Sequence, residues 1–143
     1  MAFLQHINID SQSLHSLYLR ITYNFAYRLS GSTEVAKKLT EKVILMHSNN
    51  QEIYSDIILL KQAWKDFLID YACLGLKGED QVQQALLLLP PELRCAVILR
   101  DVLGYSYGQI AAVLNKSNSE VGNLISMGRQ KITKYSKKAN ITC

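Results

Sequence analysis

Proline is scarce in this chain, at two residues in 143, and glycine is little commoner at seven. That composition excludes a Pro/Gly-rich disordered or low-complexity chain. Cysteine is sparse too. Cys73, Cys95 and Cys143 are odd in number and lack metal-ligand spacing, which argues against a zinc module. Cys95 lies in an apolar helical run and reads as a core filler, and a reducing, cytoplasmic setting is the default. His6, His15 and His47 are scattered. The sequence has no Gly-rich phosphate loop, metal cluster or nucleophile–base pattern, so no catalytic residue, metal or cofactor is expected. The opening MAFLQHINIDSQ has no basic n-region or long apolar h-region, so a signal peptide is not expected. The apolar run 85–89 is far too short to span a bilayer, and no membrane association is expected.

What is present is helical periodicity. Hydrophobic residues make up 48% of the chain, enough for a packed core, and no strand signal of any length interrupts them. Residues 11–30 place Leu14, Leu17, Tyr18, Ile21, Phe25 and Leu29 at spacings of three and four, and Gly31 stops the run. Residues 33–46 put Ala36, Leu39, Val43 and Met46 on one face, before a polar break at 47–51. A third helix, about 53–74, carries Ile57, Leu60, Trp64, Phe67, Leu68 and Tyr71 on one stripe. Three such stripes can bury one another in a bundle. The expected fold class is all-α, with two small helical domains. They are a three-helix bundle at 1–74 and a helix-turn-helix domain at 81–143, joined by a linker at 75–80 that pairs two glycines with a charge cluster.

The second domain carries the more telling pattern. Residues 81–89 read as a short helix, which Pro90 and Pro91 stop, with Pro91 suited to the first position of the next helix. That helix, about 92–103, ends at Gly104. Ser106 and Gln109 form a capping-box pattern, and Ser117 and Glu120 form another. Between them a helix with Ile110, Ala111 and Leu114 inward ends at a turn, Asn115-Lys116. The third helix turns Val121, Ile125, Gly128, Ile132 and Tyr135 inward, leaving Leu124 and Met127 more outward. Two caps around a tight turn suit a DNA-binding helix-turn-helix, although a purely structural helical hairpin has the same pattern.

Charge supports the first reading. Residues 1–72 carry seven Lys/Arg and seven Asp/Glu, whereas 116–143 carry six Lys/Arg against Glu120 alone. A basic third helix favours a polyanionic partner, with a solvated helix end as the plainer alternative.

The motif 89–94, LPPELR, then Leu99-Arg100-Asp101, then 104–111, GYSYGQIA, resembles region 4 of bacterial RNA polymerase sigma factors, above all the extracytoplasmic-function group. The likeness extends to 29–45, LSGSTEVAKKLTEKVIL, and to 64–71, WKDFLIDY, which resemble region 2. It implies a transcription-initiation factor that binds a −35-like promoter element and core RNA polymerase, with an anti-sigma factor or other regulatory protein as a further partner. In that family region 2 also melts and holds the −10 element with basic and aromatic residues, for which Tyr54 and Trp64 are the aromatic candidates here, Trp64 reading rather as core. The resemblance implies DNA contacts from Ser117, Asn118, Ser119, Asn123, Ser126, Met127, Arg129, Gln130, Lys131 and Lys134. Polymerase or partner contacts are implied for Glu34, Lys37, Lys38, Glu41, Lys42 and Leu124.

Two departures from the family pattern motivate an alternative. Lys37, Lys38 and Lys42 stand where the family has acids, and a reversed charge at an interface repels. Gly122, Leu124 and Met127 stand where the family often has Lys or Arg, and base-edge readout needs polar donors. The alternative is a sigma-fold protein-interaction module, binding an anti-sigma factor, another regulator or a second sigma subunit without melting promoters.

Overall fold

The computed structural model describes residues 11–47 and 55–142. Tyr54, most of the expected polar break and the opening decapeptide lie outside them. Among the described residues seven α-helices follow one another: α1 Ser11–Ser30, α2 Thr33–His47, α3 Asp56–Asp70, α4 Gln81–Leu88, α5 Pro91–Val97, α6 Tyr107–Leu114 and α7 Asn118–Thr142. No strand occurs among the described residues. The all-α expectation holds, and most helix ends fall within a residue or two of the sequence reading.

Local chemistry sets those ends. Gly31 stops α1 with φ +68°, and its N–H bonds back to Tyr27 O at 2.7 Å. A Cβ there would sit 2.8 Å from Leu87 Cδ1, so glycine both supplies the left-handed turn and lets the C-terminal half approach. Asp80 opens α4 by accepting from the Gln83 N–H. Pro91 opens α5. That helix does not run unbroken to 103 as expected. It widens into a π-type turn at Ile98–Val102, where Leu103 N–H reaches back to Ile98 O.

Helices α1, α2 and α3 bury Phe25, Leu29, Ala36, Leu39, Val43, Leu60, Trp64 and Phe67 against one another. Trp64 is core, stacked on Phe67 with ring centroids 6.4 Å apart. Three residues expected on the inner stripes are turned out instead: Leu17, Met46 and Leu68 are exposed. Helices α5, α6 and α7 bury Leu93, Val97, Ile110, Leu114, Val121 and Ile125. Gly128 lets α7 cross close to α5, since a Cβ on it would lie 2.5 Å from Val97 Cγ2. Gly128→Ala is therefore expected to lower stability by about 1–3 kcal/mol despite its better helix propensity, measured as a drop in urea midpoint.

These residues join in one continuous core. Helix α3 packs on α6, and α1 touches α4 and α5. Arg94, almost wholly buried, lies at the junction. Its guanidinium donates to Leu86 O (2.9 Å), Leu87 O (3.2 Å) and Leu89 O (2.9 Å) at the end of α4, and to Leu29 O (2.7 Å) at the end of α1. One cation thus caps the negative ends of two helices. Burial pushes its pKa down from the ordinary arginine value.

Candidate nucleic-acid interface

The helix-turn-helix is rigidly built. At the start of α6, Ser106 Oγ accepts from Gln109 N–H while Ser106 N–H donates to Gln109 Oε1, a complete capping box. Asn115 ends α6 at φ 56°, ψ 50°, the left-handed cap that asparagine tolerates. Ser117 then caps α7. Its Oγ accepts from Glu120 N–H at 3.1 Å, and its hydroxyl bonds Glu120 Oε1 rather than leaving that carboxylate to the backbone. The second expected capping box is therefore half made. Lys116 reinforces it, 3.5 Å from Glu92 and 3.8 Å from Glu120.

Buried Val121, Ile125 and Gly128 fix the roll of α7. Ser119, Asn123, Ser126, Met127, Gln130 and Lys134 are exposed along it, with Asn118 beside the turn and Lys131 half-exposed. This is a polar and basic stripe carrying hydroxyl and amide groups able to bond base edges and an ammonium group able to reach phosphate.

Three of the expected site residues are otherwise engaged. Leu124 is half-buried and packs against the core, so the outward Leu124–Met127 pair reduces to Met127 alone. Period alone could not show this, because Leu124 sits at the flank of the buried face. Arg129 is paired with Asp101 through two bonds, Nε–Oδ2 at 3.0 Å and Nη2–Oδ1 at 2.6 Å, so it is not a free phosphate contact. The Arg129 bond holds the Asp101 carboxyl below its ordinary 3.8. A depressed folded-state value means the pair stabilises the fold above that ordinary value and ceases to as pH falls through the folded one. Ser117 is occupied by the cap.

The π-type turn presents a second cluster the sequence did not reveal. Arg100 donates to Tyr105 O at 2.9 Å and lies 5.2 Å from the centroid of the Tyr107 ring. Behind α7 lies a groove of about 700 Å³ between α4, the π-type turn and α7. Its apolar lining includes Val82, Leu88, Val102 and Ile132, and the Asp101–Arg129 pair stands in its wall. Val82, Leu88 and Val102 are largely exposed, far more than a closed core would leave them.

Of the residues expected to bind polymerase or a partner, Leu124 lies apart on α7 and the other five lie on α2. Glu34 and Lys38 pair with each other at 3.1 Å on the surface. Lys37 and Glu41 border a shallow cleft with Leu19, Arg20, Tyr23 and Thr40. Lys42 is exposed and stands 3.3 Å from Asp70 and 3.9 Å from the buried Asp66. Lys38 and Lys42 thus each have a carboxylate partner at the surface, and all three reversed positions are exposed.

Residues 79–132 match the family model for sigma-70, region 4. The helix-turn-helix half of the chain is thus similar to sigma-70 region 4. A curated relative, the extracytoplasmic-function RNA polymerase sigma factor SigE of Mycolicibacterium smegmatis, is 26% identical over 144 aligned positions, covering 79% of this chain and 56% of the relative. The chain thus spans little more than half that relative's length. Among solved structures, the sigma factor RpoE of Bartonella quintana, crystallised in complex with the anti-sigma factor NepR, superposes with a TM-score of 0.74 at 18% identity. The superposition covers 95% of this chain and 97% of that one, so the two share a fold over nearly all of their lengths. The sigma-type resemblance read from the sequence agrees with the family model over 79–132, the extracytoplasmic-function group appears in the name of the curated relative, and the solved structure shares the fold.

Proposed function

We propose that this chain is a sigma-type transcription-initiation factor of the extracytoplasmic-function kind, acting in the cytoplasm without a catalytic centre of its own. Residues 1–74 serve as the region 2-like domain, 75–80 as the linker and 81–143 as the region 4-like domain. The reading rests on one observation above others: the doubly capped helix-turn-helix displays a continuous polar and basic stripe from Ser119 to Lys134, on a helix locked in roll by Val121, Ile125 and Gly128. Asn118, Ser119, Asn123, Ser126 and Gln130 are the groups for a −35-like element, with Met127 against a base methyl and Lys131 and Lys134 on phosphates. The groove beside α4 is the place for an apolar segment of core polymerase. The α1–α2 face, with Glu34, Lys37, Lys38 and Glu41, is a second docking surface. An anti-sigma protein is a further partner, as NepR is for the Bartonella neighbour.

Salt dependence tests the DNA contact. Binding to a −35-containing duplex should fall steeply as salt rises, and Lys134→Ala should weaken it on every sequence while flattening the log–log slope by about one unit. Binding that is absent, or indifferent to salt, would remove DNA from the account.

A further inference from the structure

The side chains along α7 differ in which bases they can tell apart. In the major groove guanine is read chiefly by a guanidinium or ammonium group bonding O6 and N7, and adenine by a carboxamide bonding N6 and N7. Residue type therefore separates the two, provided the side chain is free to reach a base.

Most cations around α7 are not free. Arg129 is fastened to Asp101 by two bonds, at 3.0 and 2.6 Å. Lys116 stands between Glu92 and Glu120. Arg100 lies over the Tyr107 ring and donates to Tyr105 O. Lys131 is half-exposed, and Lys134 lies about 16 Å further along the helix than Asn123. A recognition helix meets base edges with its N-terminal residues, so that far end falls to the phosphates.

The carboxamides are free. Asn123 and Gln130 are exposed, and neither has a hydrogen-bond partner among the described residues. They stand about 10 Å apart along α7, a span of about three base pairs. Between them Met127 is 49% exposed. Its apolar side chain suits a thymine methyl and satisfies no polar base edge. Ser119 and Ser126 can bond either kind of edge and add no preference. Gly122 has no side chain to reach a base, although a Cβ there would meet Tyr107 Cε2 at an ordinary 3.5 Å.

We infer that the helix-turn-helix reads an A·T-rich major groove and carries no guanine reader. Asn123 and Gln130 take adenines about three base pairs apart, and Met127 takes a thymine methyl between them. That DNA is the partner rests on the sigma-type reading; which bases it must offer rests on α7 alone.

Selection and modified bases test this on the unaltered chain, where no folding defect can intervene. Duplexes with a randomised core are offered to the chain, alone and with core polymerase, and the fraction bound above that of core alone is sequenced. The expected pool is rich in A·T pairs with no position fixed as G·C. On a selected duplex, 7-deazaadenine, which lacks N7, should weaken binding about tenfold at one adenine. Asn123→Ala should bind the unmodified duplex about tenfold more weakly and be indifferent to that replacement. Uracil in place of one thymine removes the methyl, and should weaken binding by the unaltered chain but not by Met127→Ala. Met127→Arg should instead favour a G·C pair at that position. A pool dominated by G·C pairs, or binding indifferent to both modified bases, would overturn the inference and leave the DNA reading standing. Absence of binding to every duplex, with and without core polymerase, would bring down the DNA reading and the base preference together.

Discussion

Arg94→Ala is expected to remove roughly 3–5 kcal/mol of folding stability, because each buried carbonyl left without a donor costs about 1–3 kcal/mol, partly recovered where water enters. Four carbonyls depend on this side chain, three at the end of α4 and one at the end of α1. No carboxylate among the described residues pairs with it, so the energy lies in fork geometry rather than in an ion pair. Arg94→Lys keeps the charge but has a single ammonium in place of the planar fork, and it should recover less than half of the loss. Arg94→Met keeps the stem and no donor, and should behave nearly as alanine does. Urea unfolding of the three variants separates hydrogen bonding from packing. A loss below about 1 kcal/mol for alanine would show that the carbonyls are satisfied by water in its absence.

Phe67→Ala should cost about 3–5 kcal/mol, the usual range for emptying a buried phenylalanine site. Phe67 is wholly buried, stacked between Trp64 and Tyr71 at centroid distances of 6.4 and 6.5 Å, and it carries Arg94 on its face. The cavity therefore opens at the seam between the halves. One consequence distinguishes a shared core from two separate ones. Fluorescence of Trp64, in the first half, and amide exchange at Ile125, in the second, should lose their native signals together at a lower denaturant concentration. If Ile125 stayed protected after Trp64 had unfolded, the halves would be independent.

Much of this architecture was legible in the sequence because it is local. Apolar spacing of three and four marked every helix, and Ser106–Gln109, Ser117–Glu120 and Gly31 marked their ends within a few residues of the bonds that form there. What the sequence hid is what partners across distance. Arg94 could be seen in the LPPELR motif, yet nothing near it in sequence announces Leu29 O, 65 residues away. The Asp101–Arg129 and Asp56–Tyr105 pairs join residues 28 and 49 apart. Nor did the sequence show that Asp66 and Asp70 of α3 stand beside the reversed charge of Lys42. Period also overstates burial at the flank of a stripe, so Met46 and Leu68 were assigned inward and Leu124 outward, each against the structure.

The same distinction governs the site. The exposed stripe on α7 was visible once its roll was fixed by Val121 and Ile125. The groove beside it was not, since its lining comes from α4, the π-type turn and α7 together. All three reversed charges, Lys37, Lys38 and Lys42, are exposed on α2, and they make the proposed polymerase contact the step most in need of a test.

The most direct test is retention of core RNA polymerase by this chain. Tagged protein mixed with core enzyme at low salt should hold it through gel filtration, and the complex should start transcription from a template bearing a −35-like element. Core enzyme that passes through unretained, with no transcript above that of core alone, would contradict the account.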